Sequence, residues 1–324
     1  MFYYYRTVKS VPSESNTVSY SVEVDWCPPY ELVISLGAFA ARQEHKTLDL
    51  GTAWARQVQK QLSPELTALL ASPELEALNL PLGLLIRSCP GKRDVDSFLC
   101  WLEGLSAGEL YELVAPYLLA GAPPLPRDLP AARDLALRVL RRWHQEYFLH
   151  VDGAILSLLQ ADSKAKRSLV ATLPAPDLVE LASNGVYFTP QEEVDLVVLV
   201  PQYHHRPWNV YAPYHRLWLY NYPVDAPAAP GEPSSQLLHI TRALADDSRL
   251  RILRFLAGGT RSFTDVVRFS HLSKSTVHYH MVALRAAGLV RVHDVGEKAN
   301  SAYSLRPGAI DALRDSLQMY LEQE

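Results

Sequence analysis

Residues 258–290 read GGTRSFTDVVRFSHLSKSTVHYHMVALRAAGLV, and their spacing decides the fold. Gly258-Gly259 ends what precedes it, because paired glycines stop helices. Ser262 then caps a helix whose apolar side carries Phe263, Val266, Val267 and Phe269. His271-Leu272 forms the turn. Ser273 caps a second helix, Lys274 to Ala287, stopped by Gly288. There Val277, Met281 and Leu284 recur at i, i+4 and i+7 and so face a core. The opposite face carries Lys274, Ser275, His278, Tyr279 and Arg285. Two helices joined by so tight a turn make a helix-turn-helix.

Upstream, Leu237–Ala245 predicts a short helix. Asp247-Ser248 is expected to cap the next, with Leu250, Ile252, Leu253, Phe255 and Leu256 on its apolar face. Downstream, Leu289–Val295 is a strand candidate, 296–300 a turn and Ser301–Leu305 a return strand. Pro307-Gly308 breaks it, and Ala309–Leu321 predicts a last helix with Ile310, Leu313, Leu317 and Tyr320 on one side. Four helices, a hairpin and a helix describe a winged helix, with the hairpin as wing.

ALADDSRLRIL (243–253) resembles the opening signature of ArsR-type winged-helix regulators, and LSKSTVHYHMVALRAAGLV (272–290) resembles their recognition helix and the start of the wing. The likeness covers roughly 237–307. It implies a transcription regulator that reads the major groove of double-stranded DNA with helix 273–287 and touches backbone or minor groove with wing 289–305. It also implies a homodimer built from the first and last helices of the module. More faintly, Tyr30–Leu36 and the proline- and aromatic-rich stretch near 200–223 resemble a large N-terminal region of an uncharacterised family, which implies no activity.

The chemistry of the candidate DNA surface follows from position. Residues near the start of a recognition helix reach base edges, which falls to Lys274, Ser275 and His278. Ser273 sits at the cap, and Thr276 and Tyr279 can donate to phosphates. Arg261 and Arg268 flank the preceding helix as backbone clamps, Arg285 shares the outer face, and Lys298 and Asn300 stand at the wing tip. His280, three residues after Val277, fits a packed or phosphate-facing histidine as well as a base reader.

The chain has 324 residues, 48% hydrophobic and 20% charged, the composition of a soluble globular protein. No apolar run approaches 18 residues, so no membrane partner is expected. The N-terminus shows no secretory pattern, and Cys27, Cys89 and Cys100 are too scattered for a disulfide scaffold, so a cytoplasmic location is expected. PVDAPAAPGEPSS (223–235) holds four prolines and a glycine and reads as a linker. The expected division is an N-terminal α+β effector or dimerisation domain (1–224), a linker (225–235) and a winged-helix domain (236–324). Residues 237–324 carry 12 Lys+Arg against 9 Asp+Glu, net +3, while the rest carries 19 against 26, net −7. A basic module on an acidic body points to a polyanion.

The fold class is therefore α+β, a helix-rich body with a few strands joined by a Pro-rich linker to a winged helix-turn-helix. In the body Thr17–Asp25 alternates like a half-buried strand. Residues 30–160 are mostly helical, with Ser63-Pro64-Glu65 and Ser72-Pro73-Glu74 as helix starts and Ala131–Gln160 as one long amphipathic stretch. Val194–Val200, Val210–Ala212 and Leu217–Tyr220 predict strands.

ArsR-type relatives sense metals through cysteines on the third helix or Asp/His sets on the last. Neither set is present, so no metal and no cofactor are expected. His204-His205 with His215 is the best alternative cluster, yet neighbouring strand residues point to opposite faces. No phosphate loop or nucleophile elbow occurs, so no enzyme is expected. Tyr203, Trp208, Tyr211, Tyr214, Trp218, Tyr220 and Tyr222 either build core or line a pocket for a small-molecule effector. Two alternatives to a regulator are a winged helix that contacts protein and, behind it, an enzyme with a regulatory winged helix.

Overall fold

A computed structural model describes residues 19–76, 80–119, 124–294 and 302–322. The helices are α1 (Pro28–Ala40), α2 (Gly51–Gln61), α3 (Pro64–Leu70), α4 (Pro73–Glu76), α5 (Leu82–Ser88), α6 (Val95–Gly104), α7 (Ala107–Val114), α8 (Leu129–Glu146), α9 (Gly153–Leu169), α10 (Ala175–Ala182), α11 (Ser235–Leu244), α12 (Asp247–Ala257), α13 (Phe263–Ser270), α14 (Lys274–Ala286) and α15 (Ala309–Leu321). The strands are β1 (Ser21–Val24), β2 (Val186–Phe188), β3 (Val194–Gln202), β4 (Val210–Tyr214), β5 (Arg216–Pro223), β6 (Arg261–Ser262), β7 (Val290–Asp294) and β8 (Ala302–Leu305). The class is α+β. The described chain falls into two compact units, one of 23–167 and 193–224, the other of 19–22, 168–192 and 225–322.

In the first unit a helical array packs on a sheet of order β1-β3-β5-β4. β3 and β5 run parallel, with Val198 opposite Leu219, and β4 returns antiparallel on β5. Leu32, Leu85, Ile86, Phe98, Leu102, Trp143 and Val198 form the core, and the Trp143 ring nitrogen donates to Ser35 Oγ at 3.0 Å. Pro64 enters helix α3 behind the cap of Ser63, whose Oγ accepts the Leu66 amide. The stretch 131–160 is not one helix. α8 ends at Tyr147 (φ −132°, ψ −61°), and Asp152 starts α9 by accepting the Ala154 amide at 2.9 Å. The apolar spacing runs on through the break, which is why periodicity hides it. Of the aromatic set, Trp218, Tyr220 and Tyr222 are buried, and Tyr211 stacks on Trp218 and Tyr220 at 5.4 and 5.7 Å.

The second unit holds α10 to α15 and a sheet of order β2-β7-β8-β6. Its core is Ile252, Leu256, Val266, Val277, Met281, Leu284, Leu289 and Val290. The cap of α12 is Asp246 rather than Asp247-Ser248: its Oδ1 accepts the Arg249 amide at 2.9 Å. β6, two residues long, pairs antiparallel with β8 and closes one side of the hairpin. The other side is closed by β2, parallel to β7 with Val186 opposite Val292.

The units therefore do not follow the linear cut at the proline-rich stretch, because 168–192 groups with the helix-turn-helix. Gly185 explains how the chain fits there. Its φ is +117°, and a Cβ would stand 2.8 Å from the Val290 carbonyl. Its own carbonyl accepts the Val292 amide at 2.8 Å. Only glycine tolerates that backbone and that approach.

Candidate nucleic-acid interface

The α13 cap is a capping box. Ser262 Oγ accepts the Asp265 amide, and the Asp265 carboxylate accepts the Ser262 amide and hydroxyl. Those Ser262 bonds hold the Asp265 carboxyl below its ordinary value. His271, left-handed at φ 55°, turns the chain from α13 into the next cap. Ser273 Oγ accepts the Thr276 amide at 3.1 Å and bonds the hydroxyls of Ser275 (2.9 Å) and Thr276 (2.8 Å). Three linked hydroxyls thus crown the N-terminus of α14, where backbone N–H groups point outward.

Ser273, Lys274, Ser275, Thr276, His278 and Tyr279 are exposed and contiguous, with Tyr279 65% exposed. Beneath them Val277, Met281 and Leu284 are buried, as their spacing predicts. Arg268 is exposed and only loosely held, its Nη1 3.2 Å from Asp265. A surface pair of that kind is weak, and the side chain can leave it for a phosphate. Arg285 is half-buried.

Arg261 lies back over the Phe255 ring at 5.0 Å and donates to the Gly258 carbonyl at 3.3 Å, so its guanidinium is engaged with the end of α12. His280 is 7% exposed, with Nδ1 3.8 Å from Asp246 Oδ1. Of the two readings open to it, the structure places it as a packed histidine against the α12 cap. Lys298 and Asn300 lie outside the described residues. Thr264, exposed on the first turn of α13, escaped the sequence reading. The Ser262 cap was the signal, since it puts Thr264 at a helix N-terminus.

Along β7, Val290 and Val292 are buried, and Arg291 and His293 are half-buried on the alternate face. His293 Nε2 meets Ser304 Oγ at 2.8 Å. Burial, with Arg291 beside it, holds His293 below its ordinary 6.5.

Of the body cluster, His204 and His205 are engaged in structure, and His215 is exposed. His204 is buried, its Nδ1 2.6 Å from Glu31 Oε1 and its Nε2 2.7 Å from the Tyr147 hydroxyl, which accepts from Trp54 Nε1. His205 pairs with Glu44 at 3.2 Å, and that bond holds Glu44 below the usual carboxylate range. Among the described residues no group of three or more His, Cys, Asp and Glu is placed to hold a metal ion. No described helix is long and apolar enough to cross a membrane.

Residues 244–293 match the family model of a helix-turn-helix domain. Two solved structures show similarity to part of the chain. One is a possible transcriptional regulatory protein from Mycobacterium bovis (fragment 1–100), 25% identical over 27% of this chain and 91% of that one, with a TM-score of 0.22. The other is the homodimeric winged helix-turn-helix DNA-binding domain of Mb0332 from Mycobacterium bovis, a possible ArsR-family transcriptional regulator. It is 25% identical over 28% of this chain and 81% of that one, with a TM-score of 0.22. No curated protein matches the chain.

Proposed function

We propose that this chain is a DNA-binding transcription regulator of the ArsR type. One observation carries the reading. Within the matched helix-turn-helix, the first two turns of α14 present Lys274, Ser275, Thr276, His278 and Tyr279 together to solvent over a packed underside. A helix of that width enters the major groove, where an N-terminal cation and imidazole meet base acceptors and hydroxyls meet phosphates. Hairpin β7–β8 follows α14 directly and takes the place of a wing against backbone or minor groove.

The protein acts as a homodimer. α15 buries only Ala309, while Ile310, Leu317, Met319 and Leu321 are exposed. A second copy covers that face, and a two-fold pair reads half-sites roughly 34 Å apart. The first unit serves as an effector or dimerisation domain for a small molecule, without a cofactor and without catalysis, in the cytoplasm.

The test is fluorescence anisotropy of the pure protein on its own upstream DNA, with excess unrelated DNA, across a salt series. The expected outcome is competitor-resistant binding that weakens steeply with salt and is lost in Lys274→Ala/His278→Ala. If neither upstream DNA nor fragments selected from the genome bind, the module is one that contacts protein.

A further inference from the structure

A winged helix needs no strand beyond its hairpin, yet here α10 and β2 are built onto it. The polar chemistry of that junction converges on one carboxylate. Glu180 on α10 is 7% exposed, and its two oxygens accept from Arg291 Nε at 2.8 Å and Nη2 at 2.5 Å. Arg306 Nε stands 3.8 Å from the same carboxylate. Arg291 belongs to β7 and Arg306 follows β8, so Glu180 ties together the outgoing and returning strands of the wing. Four residues on from Glu180, the same segment reaches the end of α14. Asn184 Oδ1 accepts from Arg306 Nη1 at 2.5 Å, and a Cβ on Gly288, the joint between α14 and β7, would stand 2.3 Å from that oxygen.

We infer that Glu180 is a positioning residue for the wing: it touches no DNA, but through Arg291 and Arg306 it sets where the hairpin stands relative to α14. The inference rests on the DNA-binding reading. A two-stranded hairpin is marginal alone, so its position is set by what holds it. A bidentate Arg–carboxylate pair fixes direction as well as distance. Without the carboxylate, two half-buried guanidiniums are left side by side with no counter-charge between them, each repelling the other. The hairpin then swings away, while α14, anchored by Val277, Met281 and Leu284, keeps its place.

The test uses the full chain carrying Glu180→Gln, Arg291→Gln or both, on DNA selected by the wild type. In Glu180→Gln, affinity falls roughly tenfold. Hydroxyl-radical protection on the wing side is lost, and methylation protection of major-groove guanines persists. In the Arg291→Gln background, Glu180→Gln costs less than it does alone, because only the longer Arg306 contact remains to be lost. In the free protein, amide exchange at Val292 and Tyr303 quickens in Glu180→Gln while exchange in α14 does not. Unchanged wing protection in Glu180→Gln, or wing and major-groove protections falling together, overturns the inference. A wild type that binds no DNA overturns the regulator reading instead, and unchanged wing exchange in Glu180→Gln then still overturns this one.

Discussion

At the scale of single residues, neighbours separate sharply by role. His278 and His280 are two positions apart, and the helical period alone left both open to DNA contact. The structure exposes His278 and packs His280 against Asp246. Sequence can place a residue on a helix but not know which neighbour the flank meets, so the exposed face of α14 was legible and the packed histidine was not. Arg261 shows the same limit, because its stacking on Phe255 depends on where α12 ends. Arg268 is exposed and only loosely paired with Asp265, so Arg268→Ala should leave the melting temperature nearly unchanged and reduce the slope of log affinity against log salt by about one unit. An unaltered slope would remove Arg268 from the phosphate contacts. Gly185→Ala should be costly by about 1–3 kcal/mol of strain alone, since φ +117° is closed to side chains. Chemical denaturation measures it, and a variant as stable as wild type would contradict the close approach to Val290.

At the scale of elements, the winged helix was largely legible. Cap residues Ser262 and Ser273, the Gly288 stop and the final α15 stand where spacing predicts them. Those signals are local, and local chemistry is what a sequence displays. β2 and β6 were not legible: one has three residues and the other two, and each exists only because a distant strand accepts it. The wing also carries a pH dependence. His293 is held below 6.5 in the folded state, first by burial and then by Arg291, while Glu180 opposes the shift. Between its folded value and 6.5 the unfolded chain binds a proton that the folded wing does not. Stability is therefore complete above 6.5 and declines as pH falls below it. Asp246 and Asp265, already held below 3.8, titrate at lower pH and do not share this window. Thermal melts at constant ionic strength should show the decline between pH 7 and 5, and His293→Gln should flatten it. A decline of equal size in that variant would assign it elsewhere.

At the scale of the whole molecule, charge and compactness divide the chain differently: residues 237–324 are net +3 against net −7 for the rest, but the compact unit that holds them also takes in 168–192, whose charged residues are all acidic. The uncovered face of α15 belongs to this scale too. Leu317→Glu should convert dimers to monomers in sedimentation velocity and weaken binding to a two-half-site operator more than to one half-site. A dimer that persists would shift the interface away from α15. The division into units runs across the order of the chain, since 168–192 is spliced into the module from well upstream. That order matters during synthesis. β2 emerges from the ribosome about a hundred residues before β7, which at roughly 5–20 residues per second leaves it unpaired for about 5–20 seconds. For that interval Val186 and Phe188 belong to an unsatisfied strand on a nascent chain. A ribosome stalled within this window would hold the helix-turn-helix unit half-built, with β2 in place and its partner β7 still to come.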